Sequence, residues 1–179
     1  MKYYIVSDIH GSSANLEKVL KRFDEDGDYL LVLGDILYHG PRNDLPANYE
    51  PKKVAAMLNE RKDKIIAVRG NCDGEVDQMV LEFPITADYQ MLPFDGYKIF
   101  MTHGHLYDEN LKWIKEDDAV LFGHIHIPVA EKMNGLLYLN PGSISLPKME
   151  SVPSYAVLEN DEFTIYDLDK NIVNSYKIK

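Results

Sequence analysis

Cysteine is almost absent from this 179-residue chain, which contains Cys72 alone. A single cysteine cannot form a disulfide within the chain, and it excludes a site in which several thiolates bind one metal ion. Long hydrophobic runs are also lacking, because no apolar stretch approaches the roughly 20 residues that span a bilayer. The apolar patch near the start is too short for a signal-peptide core and is interrupted by Asp8. We therefore expect a cytoplasmic protein without a membrane partner.

Basic residues are outnumbered by acidic ones. Lys and Arg together number 19, Asp and Glu number 29, and the net charge is −10. A surface of this sign repels a phosphate backbone, and no basic stripe is present, so we expect no nucleic-acid partner. A small phosphate ester stays compatible with the acidity, because bound metal cations reverse the electrostatic field inside a cleft.

Short apolar runs alternate with amphipathic stretches in the first half of the chain. The predicted elements are buried strands over 2–8, 29–35 and 64–70, and helices from Ser12 or Ser13 to about Phe23 and over 51–61. Strands that alternate with helices in this way favour parallel βαβ units.

The second half has the pattern of antiparallel hairpins. The predicted turns lie at Asp95-Gly96, Asn134-Gly135, Asn160-Asp161 and Lys170-Asn171, and one further buried strand lies over 119–124. The chain contains no repeat and no linker. We therefore expect an α/β fold with a single domain over 1–179, in which a parallel and an antiparallel half pack as two sheets.

Five predicted strands are each followed by residues that can bind metal ions. These groups are Asp8-Ile9-His10, Gly34-Asp35, Gly70-Asn71-Cys72-Asp73, His103-Gly104-His105 and Gly123-His124-Ile125-His126. Ligand sites in α/β sheets lie beyond the carboxyl ends of the strands, so we expect these groups to meet. Residues i and i+2 of an extended segment point the same way, which would bring Asp8 beside His10 and His124 beside His126.

The donor types suit a particular class of metal ion. Carboxylate, imidazole and amide donors without thiolate favour borderline divalent ions such as Mn²⁺, Fe²⁺, Zn²⁺ and Ni²⁺. Each group alone has an ordinary structural explanation, since a histidine beside glycine is commonly a loop or core residue. An aspartate that ends a strand likewise often caps a helix. Five such groups in order, each at a strand end, favour a metal site instead.

These residues resemble the signature of the calcineurin-like metallophosphoesterase family. The matching motifs are D-x-H, G-D, G-N-x-D, H-G-H and G-H-x-H, within about residues 1–145. The segments LGDILYHGPRN, AVRGNCDGEVDQM and NPGS are similar to those of a subgroup of small bacterial phosphodiesterases. The resemblance implies a four-layer αββα sandwich of two mixed β-sheets flanked by helices.

The resemblance also implies a centre with two divalent metal ions, for which Mn²⁺ is preferred and Fe, Zn or Ni are alternatives. It assigns Asp8, His10 and His126 to one ion. It assigns Asn71, His103 and His124 to the other, with Asp35 bridging both. Such a pair of ions activates a hydroxide for in-line displacement at phosphorus.

The implied activity is hydrolysis of small phosphodiesters. A phosphomonoesterase is the enzymatic alternative. A non-catalytic protein-interaction scaffold of the same fold, as in the retromer sorting subunit, is a further alternative. All seven ligand positions are filled here, which favours the enzyme. A homo-oligomer is left open by the sequence.

One position departs from the family pattern. Many relatives have a histidine after the motif asparagine, which is thought to protonate the leaving oxygen, whereas this chain has Cys72. A thiol with a pKa of about 8.5 is a poor substitute acid, so filling a tight corner is an equally good explanation for Cys72. We then expect a preference for substrates whose leaving groups need little protonation, such as activated diesters.

The catalytic candidates are Asn71, His39, Cys72 and Asp73. His39 could donate to a phosphoryl oxygen or face solvent, and Asp73 could orient Asn71 or cap the following helix. Arg42 could clamp a phosphate through paired hydrogen bonds, although exposed arginines are common. His105 could approach the metals or support their ligands. The segment 140–143 is expected to form a turn whose backbone lines the site.

Overall fold

The computed structural model describes residues 1–107, 111 and 113–179. Its strands are β1 (Lys2–Val6), β2 (Tyr29–Val32), β3 (Ile65–Ala67), β4 (Tyr89–Phe94), β5 (Tyr97–Thr102), β6 (Ala119–Leu121), β7 (Pro128–Met133), β8 (Leu136–Pro141), β9 (Ser154–Glu159), β10 (Glu162–Asp167) and β11 (Ile172–Lys177). Its α-helices are α1 (Ser13–Asp26), α2 (Pro51–Asn59) and the short α3 (Glu75–Gln78), and a 3₁₀ turn covers Lys62–Lys64.

The strands form two mixed sheets. The first has the order β11-β10-β9-β1-β2-β3, in which β1, β2 and β3 are parallel and the other pairings are antiparallel. The second has the order β4-β5-β6-β8-β7, with β5, β6 and β8 parallel and antiparallel hairpins at both edges. Parallel βαβ units and antiparallel hairpins are therefore both present, as the sequence predicts.

The two sheets pack face to face through an apolar layer. Alternate residues of the central strands point into it, because successive side chains of a strand face opposite sides. Its fully buried members include Ile5, Leu31, Ile99, Leu121 and Leu139. The sandwich of two mixed sheets confirms the fold class that the sequence predicts.

Helices α1 and α2 cover the outer face of the first sheet. Helix α1 buries an apolar stripe at helical spacing, formed by Leu16, Val19, Leu20 and Phe23. The outer face of the second sheet instead packs against residues that follow β5, including Leu111 and Ile114. Within the described residues, that covering segment contains no helix.

Four buried strands are shorter than the sequence predicts. The hydrogen-bonded ladders end at Val6, Val32, Ala67 and Leu121, two to three residues before the metal-binding groups begin. The apolar pattern continues past each ladder because the chain is still buried as it turns out of the sheet. Helix α1 begins after Ser12, whose hydroxyl donates to the carbonyl of Ala47 rather than capping the helix.

None of the described helices is both long and apolar enough to cross a membrane.

Candidate metal centre

The backbone carries unusual conformations at most of the predicted ligands. Five of the seven have positive φ angles, a region that L-residues other than glycine rarely adopt. These are Asp8 (52°), His10 (47°), Asp35 (53°), His124 (66°) and His126 (60°). The expectation of an extended i, i+2 geometry is therefore wrong, because left-handed turns rather than strand pleats aim these side chains. Such strain persists only where the surrounding structure holds it, and it is concentrated at functional sites.

Two glycines allow the turns to approach each other. A Cβ atom on Gly70 would overlap the carboxylate and backbone nitrogen of Asp35. A Cβ atom on Gly123 would overlap the hydroxyl of Ser7 and lie 3.0 Å from Asp8 Oδ2. Glycine is therefore required at both positions for close contact between neighbouring loops.

Asp8, His10 and His126 form one compact group. His126 Nε2 lies 3.2 Å from Asp8 Oδ1, and His10 Nε2 lies 3.8 Å from the same oxygen. The two Nε2 atoms are 3.4 Å apart. All three residues are buried, although they come from the loops after β1 and β6. Their ligand atoms all lie within 4.8 Å of one another, which is close enough to share one metal ion.

Asp35 lies between this group and a second one. Its Oδ2 atom is 3.7 Å from His10 Nε2 and 3.5 Å from His103 Nε2. His103 Nε2 is in turn 3.1 Å from Asn71 Oδ1. The ring of His124 lies beside that of His103, with centroids 5.1 Å apart. All seven predicted ligands thus lie close together, with Asp35 between the two groups, although Asn71 is exposed and His124 is half-buried.

Backbone carbonyls orient three of the four imidazoles. The Nδ1 atoms of His10, His103 and His126 lie 2.8, 2.7 and 2.6 Å from the carbonyl oxygens of Tyr38, Leu33 and Leu146 respectively. A carbonyl only accepts hydrogen bonds, so each Nδ1 carries the proton and donates it. In the neutral ring, each Nε2 then presents a lone pair towards the carboxylates. Metal-binding histidines use this arrangement to fix tautomer and orientation.

The site is consequently rich in acceptors and poor in donors. In the described part of the chain, Asp8 Oδ1 is buried and has no hydrogen-bond donor while the neighbouring imidazoles are neutral. Burial opposes ionisation of Asp8, but the positive charge of the facing histidines when they are protonated, together with the Ser7 hydroxyl, outweighs burial and lowers the pKa of Asp8 to about 2. Burial lowers the pKa of His10, whereas the Asp8 carboxylate overrides burial at His126 and raises its pKa. An ionised carboxylate facing several nitrogen lone pairs fits a divalent cation.

Asp73 supports the loop that carries Asp35. Its carboxylate accepts hydrogen bonds from the backbone N–H groups of Asp35 (2.8 Å), Ile36 (2.8 Å) and Gly70 (2.7 Å). Burial raises its pKa to about 6, which still leaves it ionised at pH 7, as three donors require. Asp73 does not cap α3, because the N-cap residue of that helix is Gly74. The three hydrogen bonds of Asp73 go to backbone N–H groups and not to the side chain of Asn71.

Cys72 lies at the edge of the site with its backbone facing Asp35. Its N–H group donates to Asp35 Oδ1 at 2.8 Å, and its sulfur accepts a hydrogen bond from the Asn71 amide at 3.2 Å. Burial is the largest cause of a rise in the thiol pKa to about 12, and nearby carboxylates add to it. The side chain therefore stays protonated at neutral pH and is a weak acid.

His39 does not line the cleft that leads to this site, as far as the described residues define it. Its ring packs edge-on against Tyr38 and Tyr49, with centroids 4.8 and 5.3 Å away. His105 lies closer to the predicted ligands, with its ring centroid 5.3 Å from that of His103.

Two hydroxyls that hold Asp8 were not predicted from the sequence. Ser143 and Ser145 each donate a hydrogen bond to the Asp8 carbonyl at 2.8 Å. Asn140, at the end of β8, donates to the Gly123 carbonyl at 2.9 Å. Side chains of this segment thus support the ligand loops, where the sequence predicts a lining backbone turn. The only sequence signal was the polar run itself.

An open cleft of about 540 Å³ leads to the acceptor-rich site. Asp35, Asn71, His124 and His126 line it, whereas Asp8, His10 and His103 lie beneath its surface. A small molecule could therefore reach the metal-binding groups from solvent without any rearrangement of the core.

The fold and this site define a class of protein. The sequence profile described as the calcineurin-like phosphoesterase superfamily domain matches residues 1–162. The chain belongs to this family, which confirms the resemblance that its motifs indicate. Family membership implies divalent metal ions, and the acceptor-rich groups described above are suited to hold them.

Two relatives lie close in sequence. Phosphodiesterase YfcE of Escherichia coli (strain K12) is 49% identical over 176 residues, which cover 97% of this chain and 96% of that protein. The probable metallophosphoesterase YsnB of Bacillus subtilis is 31% identical over 180 residues, which cover 95% of this chain and 92% of that protein. A solved structure of the E. coli phosphoesterase YfcE superimposes over the full length of both chains, with a TM-score of 0.97 and 47% identity.

Proposed function

We propose that this chain is a phosphodiesterase that hydrolyses small phosphodiesters with the help of two divalent cations. One observation carries the proposal. Among the described residues, the Asp8 carboxylate and the Nε2 atoms of three imidazoles share one buried space, and Asp8 Oδ1 has no hydrogen-bond donor there. Acceptor groups that face each other repel unless a cation lies between them.

The two groups of side chains suit two cations. Asp8, His10 and His126 would hold one. The other would be held by Asn71, His103 and His124, and Asp35 would be shared. When bound, such a pair supplies an activated water molecule and neutralises charge on the phosphoryl group. The predominance of carboxylate, imidazole and amide donors in both groups favours Mn²⁺, with Fe, Zn and Ni as alternatives.

The chain's own residues keep this arrangement in place. Carbonyls of Tyr38, Leu33 and Leu146 hold the three protonated Nδ1 atoms, so the imidazoles do not need to reorient when substrate binds. Asp73 holds the backbone of the Asp35 loop. Preorganised groups of this kind are a main source of catalytic rate, because they need no rearrangement during the reaction.

A diester is preferred to a monoester because of Cys72. Its thiol, with a pKa of about 12, offers little proton donation to a leaving oxygen. Good leaving groups, such as those of activated aryl diesters, need none. The name of the relative YfcE, a phosphodiesterase with 49% identity, supports the same choice.

A small substrate is favoured by charge and by volume. The cleft of about 540 Å³ accommodates a small ester, and the net charge of −10 opposes a polyanion such as nucleic acid. The accessible set of acceptors favours an enzyme over a non-catalytic scaffold of the same fold. The cytoplasmic location and a homo-oligomer stay predictions.

The test measures metal content and turnover together. Purified protein is stripped with a chelator, and metal content is measured by inductively coupled plasma mass spectrometry. Hydrolysis of bis(p-nitrophenyl) phosphate is then followed as Mn²⁺ is added back. We expect about two ions per chain at full activity, with little turnover in stripped protein. Full turnover without metal would overturn the proposal, and faster hydrolysis of p-nitrophenyl phosphate would favour a monoesterase.

A further inference from the structure

Two cationic side chains line the metal-site cleft of this strongly acidic protein. Arg42 lies in the loop after β2, and Lys148 lies in the loop between β8 and β9. Among the described residues that line the cleft, the one carboxylate is Asp35, which faces the metal-binding groups. The overall charge of −10 therefore does not extend to the entrance of the site.

Both cationic groups are available to a ligand. No carboxylate of the described residues lies within 4.0 Å of either one, although the acidic Asp44 and Glu150 are close in sequence. Other cations of the surface do form such pairs, for example Arg69 with Asp88 at 2.9 Å. Arg42 and Lys148 are both exposed and both line the cleft.

The backbone of each cation is anchored beside the metal-binding groups. The N–H group of Lys148 donates to the carbonyl of His126 at 3.2 Å. Arg42 lies in the turn from Gly40 to Asn43, where the Asn43 amide donates to the His39 carbonyl at 2.8 Å. A Cβ atom on Gly40 would lie 3.2 Å from the sulfur of Cys72, so this turn packs directly against the site.

The number of charges exceeds what one reacting diester requires. A phosphodiester carries a single negative charge at its phosphoryl group. Two divalent cations, the carboxylates of Asp8 and Asp35 and an activated hydroxide together leave about one positive charge, which the diester itself neutralises. Arg42 and Lys148 add further positive charge near the entrance, where it would attract a second anionic group.

We propose that the cleft selects small phosphodiesters that carry a second anionic group, such as a phosphate, and that Arg42 and Lys148 bind this group. The inference rests on the proposed phosphodiesterase function, because the reacting phosphoryl group is assigned to the metal centre. The two residues determine specificity through the non-reacting part of the substrate. Such contacts raise kcat/KM for the substrates that can make them.

A matched pair of substrates tests this selection. Thymidine 5′-(p-nitrophenyl phosphate) and its 3′-phosphorylated form share one leaving group and differ by one phosphate. We expect kcat/KM to be about tenfold higher for the 3′-phosphorylated form, because hydrogen bonds to charged groups typically contribute such a factor. Increasing salt from low to high concentration should reduce the ratio, since these contacts are exposed.

Variants identify the residues responsible. Arg42→Ala and Lys148→Ala should each reduce the ratio of the two kcat/KM values by about threefold, and the double variant should bring it close to one. Lys148→Arg should keep most of the ratio, because the charge stays in the cleft. Lys18→Ala removes an exposed lysine of α1 that does not line the cleft, and it should leave the ratio unchanged.

A binding measurement gives a readout besides turnover. Calorimetry with Mn²⁺-loaded protein should detect tighter binding of thymidine 3′,5′-bisphosphate than of thymidine 5′-phosphate, and the double variant should lose the difference. Equal kcat/KM values in the native protein, alongside normal hydrolysis of both esters, would overturn this inference and leave the phosphodiesterase intact. An equal loss in Lys18→Ala would also overturn it, because the effect would then come from overall charge. Absence of hydrolysis of either ester would instead contradict the proposed function.

Discussion

Asp35 contacts residues of both groups in the candidate metal centre. Its Oδ2 atom faces both His10 and His103, while its Oδ1 atom accepts the N–H group of Cys72 at 2.8 Å. Its own N–H group is held by Asp73. A change at this one carboxylate should therefore affect both groups of ligands together.

We expect Asp35→Asn to lower kcat for an activated diester by at least about 100-fold, because preorganised charge at the reacting centre is lost. The amide keeps the size of the side chain, so the fold should remain. Calorimetric titration with Mn²⁺ should detect weaker binding at both sites rather than at one.

Asp44→Asn is the matched control, because Asp44 is an exposed carboxylate in the same loop that does not line the cleft. It should retain turnover and metal content. Near-native turnover of Asp35→Asn would show that the shared carboxylate is wrongly assigned.

Cys72 tests whether a side chain protonates the leaving oxygen. We expect Cys72→Ala to change turnover of an aryl diester by less than about tenfold, since general acid catalysis typically contributes 10²–10⁴. Cys72→His should improve turnover of poorly activated alkyl monoesters most, because protonation of the leaving group matters most there.

A leaving-group series on native protein and on Cys72→Ala provides the measurement. The rate of the native protein should depend steeply on leaving-group pKa, and the slope should be the same in the variant. A shallow native slope that steepens in Cys72→Ala would mean that the thiol is an acid.

At the scale of elements, the loops after β1 and β2 are hydrogen-bonded to each other. The N–H groups of Asp8, His10 and Gly11 donate to carbonyls of the Gly34–Ile36 segment at 3.2, 2.9 and 2.9 Å. Asp73, in the loop after β3, accepts N–H groups from the same segment. The left-handed conformations of Asp8, His10 and Asp35 persist because these three neighbouring loops are hydrogen-bonded to one another.

Gly70→Ala should disturb this arrangement through steric overlap alone. The new methyl group would overlap the Asp35 side chain and backbone, so we expect a loss of about 1–3 kcal/mol in the free energy of unfolding, as for an overpacked core. Metal binding and kcat should fall as well, because Asp35 must move. Denaturant unfolding and a metal titration measure the two effects.

Gly74→Ala is its matched control four residues later. A Cβ atom there would meet its nearest neighbour, Asp77 Oδ2, at an ordinary 3.8 Å, and the φ angle of −120° suits any residue. Equal effects of the two substitutions would contradict the role of close packing at Gly70.

At the scale of the whole molecule, ligands from both sheets meet at one end of the sandwich. Asp8 and Asp35 follow strands of the first sheet, and His103 and His124 follow strands of the second. Metal binding should therefore stabilise the packing of the two sheets against each other. It should also relieve the repulsion between facing acceptors.

We expect saturating Mn²⁺ to raise Tm by about 5 °C or more, because an ion present at 100 times its Kd stabilises by about 2.7 kcal/mol per site. A single domain over 1–179 should unfold in one transition, with the same midpoint by far-UV circular dichroism and by tyrosine fluorescence. Asp35→Asn should give a smaller shift in Tm. Two separated transitions would contradict the single domain.

The sequence by itself determined the elements and the chemical type of the site. Hydrophobic periodicity and turn pairs such as Asp95-Gly96 and Asn134-Gly135 depend on local chemistry, so the strands and hairpins were predictable. Polar residues at five strand ends indicated a metal site, because parallel strands bring their carboxyl ends to one edge.

Tertiary structure alone decided how the ligands are aimed. The left-handed turns at Asp8 and His126 and the three carbonyls that orient imidazoles arise from contacts between segments far apart in sequence. The same is true of the hydroxyls of Ser143 and Ser145, which reach Asp8 from 135 and 137 residues away. Local sequence patterns do not predict such contacts, because the free energy that stabilises a strained turn comes from residues that are distant in sequence. For the same reason, only the fold could bring Arg42 and Lys148 to one cleft.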